Sequence, residues 1–251
     1  MPVLVFKAST PRSGAAPGLA TESGFVSGAI GDLTRHASST DVHASNPPRS
    51  THMIRAFDIL VAFVAIVLFL PFILLIALLI KGFSSGPAIF CQRRIGRDGA
   101  TFPCLKFRTM VVNSEAVLAS LLEGSEEARC EWERDQKLRR DPRVTPIGEF
   151  LRKTSLDELP QLFNILAGQM SVVGPRPIVE SEIIRYGTRF PAYCSVKPGL
   201  TGLWQVNGRN DVSYGFRVRL DALYAQRQSL SLNIAICVKT VPAILASRGC
   251  Y

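Results

Sequence analysis

The sequence predicts a helix-rich α/β protein of monotopic design, with a small cytoplasmic domain carried on one re-entrant, proline-broken membrane helix and edged by amphipathic interfacial helices. Three observations predict it. A run of 22 residues without a charge extends from Ile59 to Ile80. Behind it lies a polar region with a hairpin signal at Gly96-Arg97-Asp98-Gly99 and glycines placed to end helices. Towards the end, Leu230 to Leu245 is apolar with Lys239 as its only charge.

Ser, Ala, Gly, Pro and Thr supply 29 of the first 50 residues, with no sustained period of 2 or 3.6, so residues 1–50 form an expected disordered tail. A cleaved signal peptide would start with basic and apolar regions, whereas this apolar run begins near residue 59; secretion is not expected. The six cysteines include no C-x-x-C pair, which supports neither a zinc site nor a disulfide framework and suits a reducing compartment. The expected division is a tail over 1–50, a membrane-inserted helix over 51–82 and a cytoplasmic domain over 83–251.

As a helix, the uncharged run would rise about 33 Å, against a hydrocarbon core of about 30 Å. Pro71 is its thirteenth residue, where proline removes a backbone hydrogen bond and crowds the preceding turn. Arg49 and Arg55 precede the run; Lys81, Arg93, Arg94, Arg97, Lys106 and Arg108 follow it, with Asp98 the only acid from 81 to 108. Basic flanks prefer the cytoplasmic side, and here both flanks are basic. A segment broken at Pro71 that dips in and returns satisfies both; a straight span satisfies one.

Residues 89–110 predict two short strands around the Asp98-Gly99 turn. The charge-rich stretch from Asn113 to Asp141 predicts a solvated helix or lid, with Val117, Leu118, Leu121 and Leu122 on one face. Leu156 to Leu166 and Ile178 to Tyr186 predict helices ended by Gly168 and Gly187, and Val218 to Tyr224 another. Leu230 to Leu245, short and interrupted by Pro242, predicts a core or interfacial helix rather than a second span.

All three histidines lie at or before His52, which excludes Ser-His-Asp, Cys-His and H-E-x-x-H chemistry from the rest of the chain unless the tail folds back. Carboxylates and cations are left to work with. The stretch Arg152 to Gln161 places Asp157 and Glu158 at an expected helix start. Ser155-x-x-Glu158 fits a capping box, with Pro160 in the first turn. The two acids therefore either cap a helix or act chemically, one as nucleophile or both holding Mg²⁺ beside a phosphate, with Arg152 and Lys153 as a cationic wall. In Gly174-Pro175-Arg176-Pro177 the prolines restrain a guanidinium fork suited to phosphate. Lys197-Pro198-Gly199-Leu200-Thr201-Gly202, with Trp204-Gln205 and Gly208-Arg209, offers a glycine-punctuated loop for a base or phosphate, without a standard nucleotide-loop pattern. The net charge of +9 favours anionic partners. From 187 onward eight basic residues face two acids, which beside a membrane segment suggests an anionic interface. No nucleic-acid motif accompanies the charge, and no nucleic-acid partner is expected.

Taken together, these motifs resemble the bacterial sugar transferase family, the monotopic phosphoglycosyl transferases that start exopolysaccharide synthesis. The resemblance covers Arg55 to Tyr251: Arg55 to Asp58, Lys106 to Met110, Asp141 to Thr145, Arg152 to Gln161, Gly174 to Pro177, Lys197 to Gly202, Trp204-Gln205, Gly208-Arg209 and Gly249-Cys250-Tyr251. It implies transfer of a sugar 1-phosphate, of galactose or glucose type, from a UDP-sugar to undecaprenyl phosphate with release of UMP. It implies Asp157 as nucleophile of a covalent phosphosugar intermediate and Glu158 as its partner at Mg²⁺. Arg152, Arg176, Lys106, Arg108, Pro175, Pro177, Gln205 and Arg209 are implied around phosphate and substrate. The implied setting is the cytoplasmic face of the bacterial inner membrane, beside inner-leaflet phospholipid and other exopolysaccharide assembly proteins. Leu70-Pro71 stands where the family often has Ser-Pro. The alternative is a membrane-anchored scaffold without turnover, in which Asp157 and Glu158 only cap a helix.

Overall fold

The computed structural model describes residues 51–135, 138, 140–207 and 213–245. The expected tail, Gly208-Arg209 and the terminal Gly249-Cys250-Tyr251 lie outside them. Helix α1 spans Thr51–Phe83, is long and apolar enough to cross a membrane, and leaves most of its apolar side chains exposed. The sequence predicts a break at Pro71, yet the helical stretch continues through it. A proline forfeits one hydrogen bond but need not end a helix whose two flanks are held by packing.

Both flanks are held, and by the same domain. Near the start, Arg55 donates to the carbonyls of Ile165 (2.6 Å) and Leu166 (2.9 Å), and buried Asp58 accepts from Ser171 Oγ and the Val172 amide, each at 2.9 Å. Near the end, Ile73, Ile76 and Ile80 bury against Ala88, Phe107 and Leu151. Arg108 then donates to the carbonyls of Ser85 (2.8 Å) and Ser84 (3.1 Å) just past the helix.

Strands β1 (Ile89–Ile95) and β2 (Thr101–Phe107) pair antiparallel, Arg94 opposite Phe102 and Phe90 opposite Lys106, as the Asp-Gly turn predicts. Asp98 takes φ 58°, a left-handed turn conformation that Asp tolerates. The expected helical stretch after Asn113 is two helices, α2 (Ser114–Gly124) and α3 (Glu126–Asp135), parted at Ser125, whose extended backbone breaks the run. Helix α4 (Pro146–Thr154) starts where Thr145 Oγ1 accepts from the Gly148 amide and Pro146 fills the first turn.

The capping box expected at Ser155 is absent. Ser155 ends α4 with a left-handed φ of 58° and makes no side-chain cap; a 3₁₀ turn over Leu156–Glu158 follows, and helix α5 (Gln161–Leu166) begins only after Pro160. With Ser155 spent on reversing the chain out of α4, its hydroxyl cannot also reach a downstream amide. Gly168, φ 79°, closes α5 as predicted.

Two short parallel strands, β3 (Ser171–Val173) and β4 (Gly199–Thr201), had no sequence signal, being three residues each. Between them lie a 3₁₀ turn (Glu180–Glu182), α6 (Ile183–Tyr186) ended by Gly187, and α7 (Phe190–Cys194). Helix α8 (Tyr214–Arg227), capped by Ser213 Oγ accepting from the Phe216 amide, is longer than predicted. Helix α9 (Leu230–Leu245) contains Pro242; it buries Asn233 and Ile236 and exposes Ile234, Val238 and Val241 on another face. The main core gathers α1, β2, α5, β3, α8 and α9 around Ile165, Met170, Val173 and Leu220.

Candidate active site

Asp157 and Glu158 occupy the 3₁₀ turn that joins α4 to α5, and β2 passes beside it. Lys106, near the end of β2, places Nζ 2.7 Å from Glu158 Oε1 and 3.9 Å from Asp157 Oδ2. The Asp157 side chain is 14% exposed and that of Glu158 32%, so the pair sits at a half-open surface. Their partners separate their acidities. Burial pushes the Asp157 carboxyl above its ordinary value, and the Glu158 charge adds to that against the opposing pull of Lys106 and Arg152. Burial also opposes ionisation of Glu158, but the Lys106 ammonium and its hydrogen bond, with Arg176 and Gln161, outweigh it and hold Glu158 below its ordinary value. The two acids therefore form an unequal pair.

Arg152, in the last turn of α4, is fixed by donating from Nε to Thr109 Oγ1 (2.9 Å). That contact needs Gly148, because a Cβ there would run into the Thr109 backbone. Asp141 and Arg143 form a two-point ion pair beside it, Nε to Oδ1 at 2.8 Å and Nη2 to Oδ2 at 2.7 Å, and Arg143 stacks on Trp132. Lys153 leaves the expected cationic wall: it is exposed and pairs with Glu149 one turn back.

The Gly174-to-Pro177 loop is packed backbone to backbone against the Lys197-to-Gly202 loop. A Cβ on Gly174 would strike the Lys197 carbonyl, and one on Gly199 the Gly174 amide; the Gly199 amide donates to Pro175 O (2.8 Å) and that of Gly174 to Thr201 O (2.8 Å). Pro175 and Pro177 are buried walls, and Pro177 O accepts from Arg94 (3.2 Å). Between them Arg176 is half-buried, has no hydrogen-bond or ion-pair partner among the described residues, and acts electrostatically on Glu158.

The predicted residues thus separate. Asp157, Glu158, Lys106, Arg152 and Arg176 belong to one electrostatic cluster. Arg108 does not join it, because its guanidinium is occupied by the carbonyls that follow α1. Gln205 opens the 3₁₀ turn after the glycine loop, Nε2 towards Leu200 O (3.5 Å) and Oε1 buried without a partner among the described residues. Pro71 is within α1, and Arg209 lies outside the described residues. Thr109 and Gln161 were missed as support, although both stand in the quoted motifs.

For a metal, Asp157 and Glu158 are the carboxylates at hand; among the described residues no three His, Cys, Asp or Glu converge. Two hard oxygen ligands fit Mg²⁺, which commonly takes one or two carboxylates and completes its shell with phosphate oxygens and water.

A family model described as bacterial sugar transferase matches residues 49–247. An uncharacterized sugar transferase of Haemophilus influenzae is 53% identical over 197 residues, 78% of this chain and 42% of that protein. The exopolysaccharide production protein ExoY of Rhizobium meliloti is 51% identical over 197 residues, 78% of this chain and 87% of that protein. The undecaprenyl-phosphate galactose phosphotransferase of Salmonella typhimurium is 49% identical over 197 residues, 78% of this chain and 41% of that protein. The chain therefore spans less than half the length of two of these relatives and most of the third.

Proposed function

Because the chain belongs to the bacterial sugar transferase family, we propose that it transfers a hexose 1-phosphate from a UDP-sugar to undecaprenyl phosphate, releasing UMP, as a first step of exopolysaccharide synthesis. Galactose or glucose is the expected hexose, in keeping with the galactose named for the Salmonella relative. The observation that carries this reading is the half-buried Asp157-Glu158 pair, held by Lys106 and acted on electrostatically by Arg152 and Arg176, two carboxylates amid cations suited to phosphate.

In the first half-reaction an Asp157 oxygen attacks the sugar-linked phosphorus. The bond to the bridging oxygen breaks, and UMP leaves with that oxygen and its electron pair. Asp157, desolvated by burial, is an activated nucleophile once ionised, while Lys106 keeps Glu158 charged beside it. Arg152 and Arg176 neutralise the phosphoryl oxygens. In the second half-reaction a phosphate oxygen of the lipid attacks the same phosphorus and frees the Asp157 carboxylate. Asp157 and Glu158 would hold Mg²⁺ with the donor's phosphate oxygens, and the ion would supply further charge neutralisation there.

The long apolar helix marks a membrane-associated protein. Supporting a re-entrant arrangement on the cytoplasmic face of the inner membrane, the domain grips α1 near both ends, through Arg55 and Asp58 and through Ile80 and Arg108. The exposed stripe Ile234, Val238 and Val241 on α9 supports contact with inner-leaflet phospholipid.

The deciding experiment follows UMP release by the full chain with Mg²⁺, undecaprenyl phosphate and a panel of UDP-sugars. Asp157→Asn is expected to lower turnover at least about 10³-fold, roughly 4 kcal/mol of barrier. Near-normal turnover in that variant rejects the nucleophile, and no release from any UDP-sugar by folded wild-type protein rejects the reaction.

A further inference from the structure

Behind the Arg176 loop lies a buried polar network that the reaction as derived above does not use. Asp221 on α8 is 1% exposed and accepts from Tyr186 Oη of α6 at 2.7 Å. Its nearest cation is Arg217, one turn back, with Nε 3.9 Å from Oδ2. The Arg217 guanidinium is almost enclosed, 4.8 Å from the Trp204 ring centre and 5.2 Å from that of Tyr214, and its buried Nε and Nη2 make no hydrogen bond among the described residues. A buried carboxylate is costly unless something uses its charge.

The network reaches Arg176 by two routes. Tyr186 meets Tyr193 edge to face at 5.0 Å; Tyr193 Oη donates to Ile95 O (2.7 Å) and accepts from the Ile178 amide (3.3 Å). That hydroxyl thus ties down the backbone immediately after Arg176-Pro177, where Ile95 and Ile178 also pair through their backbones. The second route is direct, since the Arg176 charge acts on Asp221 as it acts on Glu158. The Arg176 charge is thus felt both by Glu158 and by buried Asp221, and Arg176 makes no hydrogen bond of its own among the described residues.

We propose that Asp221 is a positioning residue: a buried counter-ion that, with Tyr186, Tyr193 and Arg217 around it, orients the Arg176 guanidinium towards the donor phosphate. This rests on the reading of Arg176 as a phosphate-binding residue. An ionised Asp221 attracts Arg176 inward and balances Arg217; a neutral one leaves Arg217 uncompensated and frees Arg176 to collapse onto Glu158. Burial pushes the Asp221 carboxyl up to about 7, against the Tyr186 hydrogen bond and the Arg217 and Arg176 charges that favour ionisation. Tyr193 and Tyr214 also face this cluster, and burial holds both phenols above their ordinary value; Tyr214 Oη in turn donates to Glu182 (3.2 Å), and the Arg185 guanidinium lies 4.9 Å from the Tyr214 ring centre.

The test compares Asp221→Asn, Arg176→Gln and the double variant in the full chain, with steady-state kinetics for the UDP-sugar across pH and thermal melting as a check of folding. Asn keeps the size and can still accept from Tyr186, so it removes the charge alone. Asp221→Asn is expected to lower kcat/KM about tenfold or more, and the double variant to be no worse than Arg176→Gln, as for residues acting as a unit. In wild type the rise of kcat/KM through about pH 7 should disappear in Asp221→Asn. Should that variant fail to fold, Tyr186→Phe, which removes a bond favouring ionisation, is expected to move the rise to higher pH. Additive losses, unchanged kinetics in Asp221→Asn, or an unmoved profile in Tyr186→Phe overturns the positioning role. A harmless Arg176→Gln overturns instead the phosphate role on which it rests.

Discussion

At the residue scale the Asp157-Glu158 pair depends on Lys106. Its ammonium contacts Glu158 at 2.7 Å and Asp157 at 3.9 Å, so removing it leaves two adjacent carboxylates without their nearest cation. Lys106→Gln is expected to raise the pKa of Glu158 towards and above its ordinary range, since the ammonium is what holds it down. The lower-pH limb of the kcat/KM profile, below the rise assigned to Asp221, should move to higher pH; an unmoved limb would separate Glu158 ionisation from the reaction. Arg152 and Lys153 show how far residue type alone can mislead. Neighbours in sequence, one is fixed on Thr109 beside the carboxylates and the other pairs with Glu149 in solvent, because helix geometry sends consecutive side chains about 100° apart.

At the element scale the two glycine-bearing loops are one structure. Gly199→Ala would drive a methyl group into the Gly174 backbone, an overpacking that typically costs about 1–3 kcal/mol. The expected outcome is a lower denaturation midpoint together with weaker UDP-sugar binding, since Arg176 rides on the displaced loop. Helix α1 carries the second expectation of this scale. Its contacts near Arg55 and near Ile80 are with the same domain, so cysteines introduced at Thr51 and at Phe83 should both be labelled from the cytoplasmic side of intact cells. Labelling from opposite sides would show a span and would require the contacts at one end to be broken.

At the scale of the whole molecule, stability and activity are expected to pull Asp221 in opposite directions. A carboxyl whose folded value is raised to about 7 from 3.8 binds its proton more tightly folded than unfolded. Its contribution to stability is complete below pH 4 and is lost as pH rises from about 4 to about 7. Asp221→Asn removes that loss, so the melting temperature of the variant relative to wild type should rise between pH 4 and pH 7 while its catalytic efficiency falls. A parallel pH dependence in the two proteins would place the ionisation elsewhere.

How much of this was legible depended on range along the chain. The hairpin was readable because Asp98-Gly99 and its flanking strands are contiguous, and the helix ends at Gly168 and Gly187 because a left-handed residue is a local demand. Asp157 and Glu158 were readable as a pair because they are adjacent, and the apolar run because length and lack of charge need no partner. The three-residue parallel strands were not readable, nor was the difference in acidity within the pair, nor Arg108 as a clasp on α1. Each of these rests on groups tens of residues apart. The sequence by itself determined the long apolar helix, the helix-rich α/β class and the adjacent carboxylates Asp157 and Glu158, because local composition, periodicity and adjacency decide those. Only the tertiary structure decided that one domain grips α1 near both ends, that Lys106 contacts both carboxylates, and that Asp221 is buried against Tyr186 and Arg217. Burial and electrostatic distance are properties of the folded chain and have no period in the sequence.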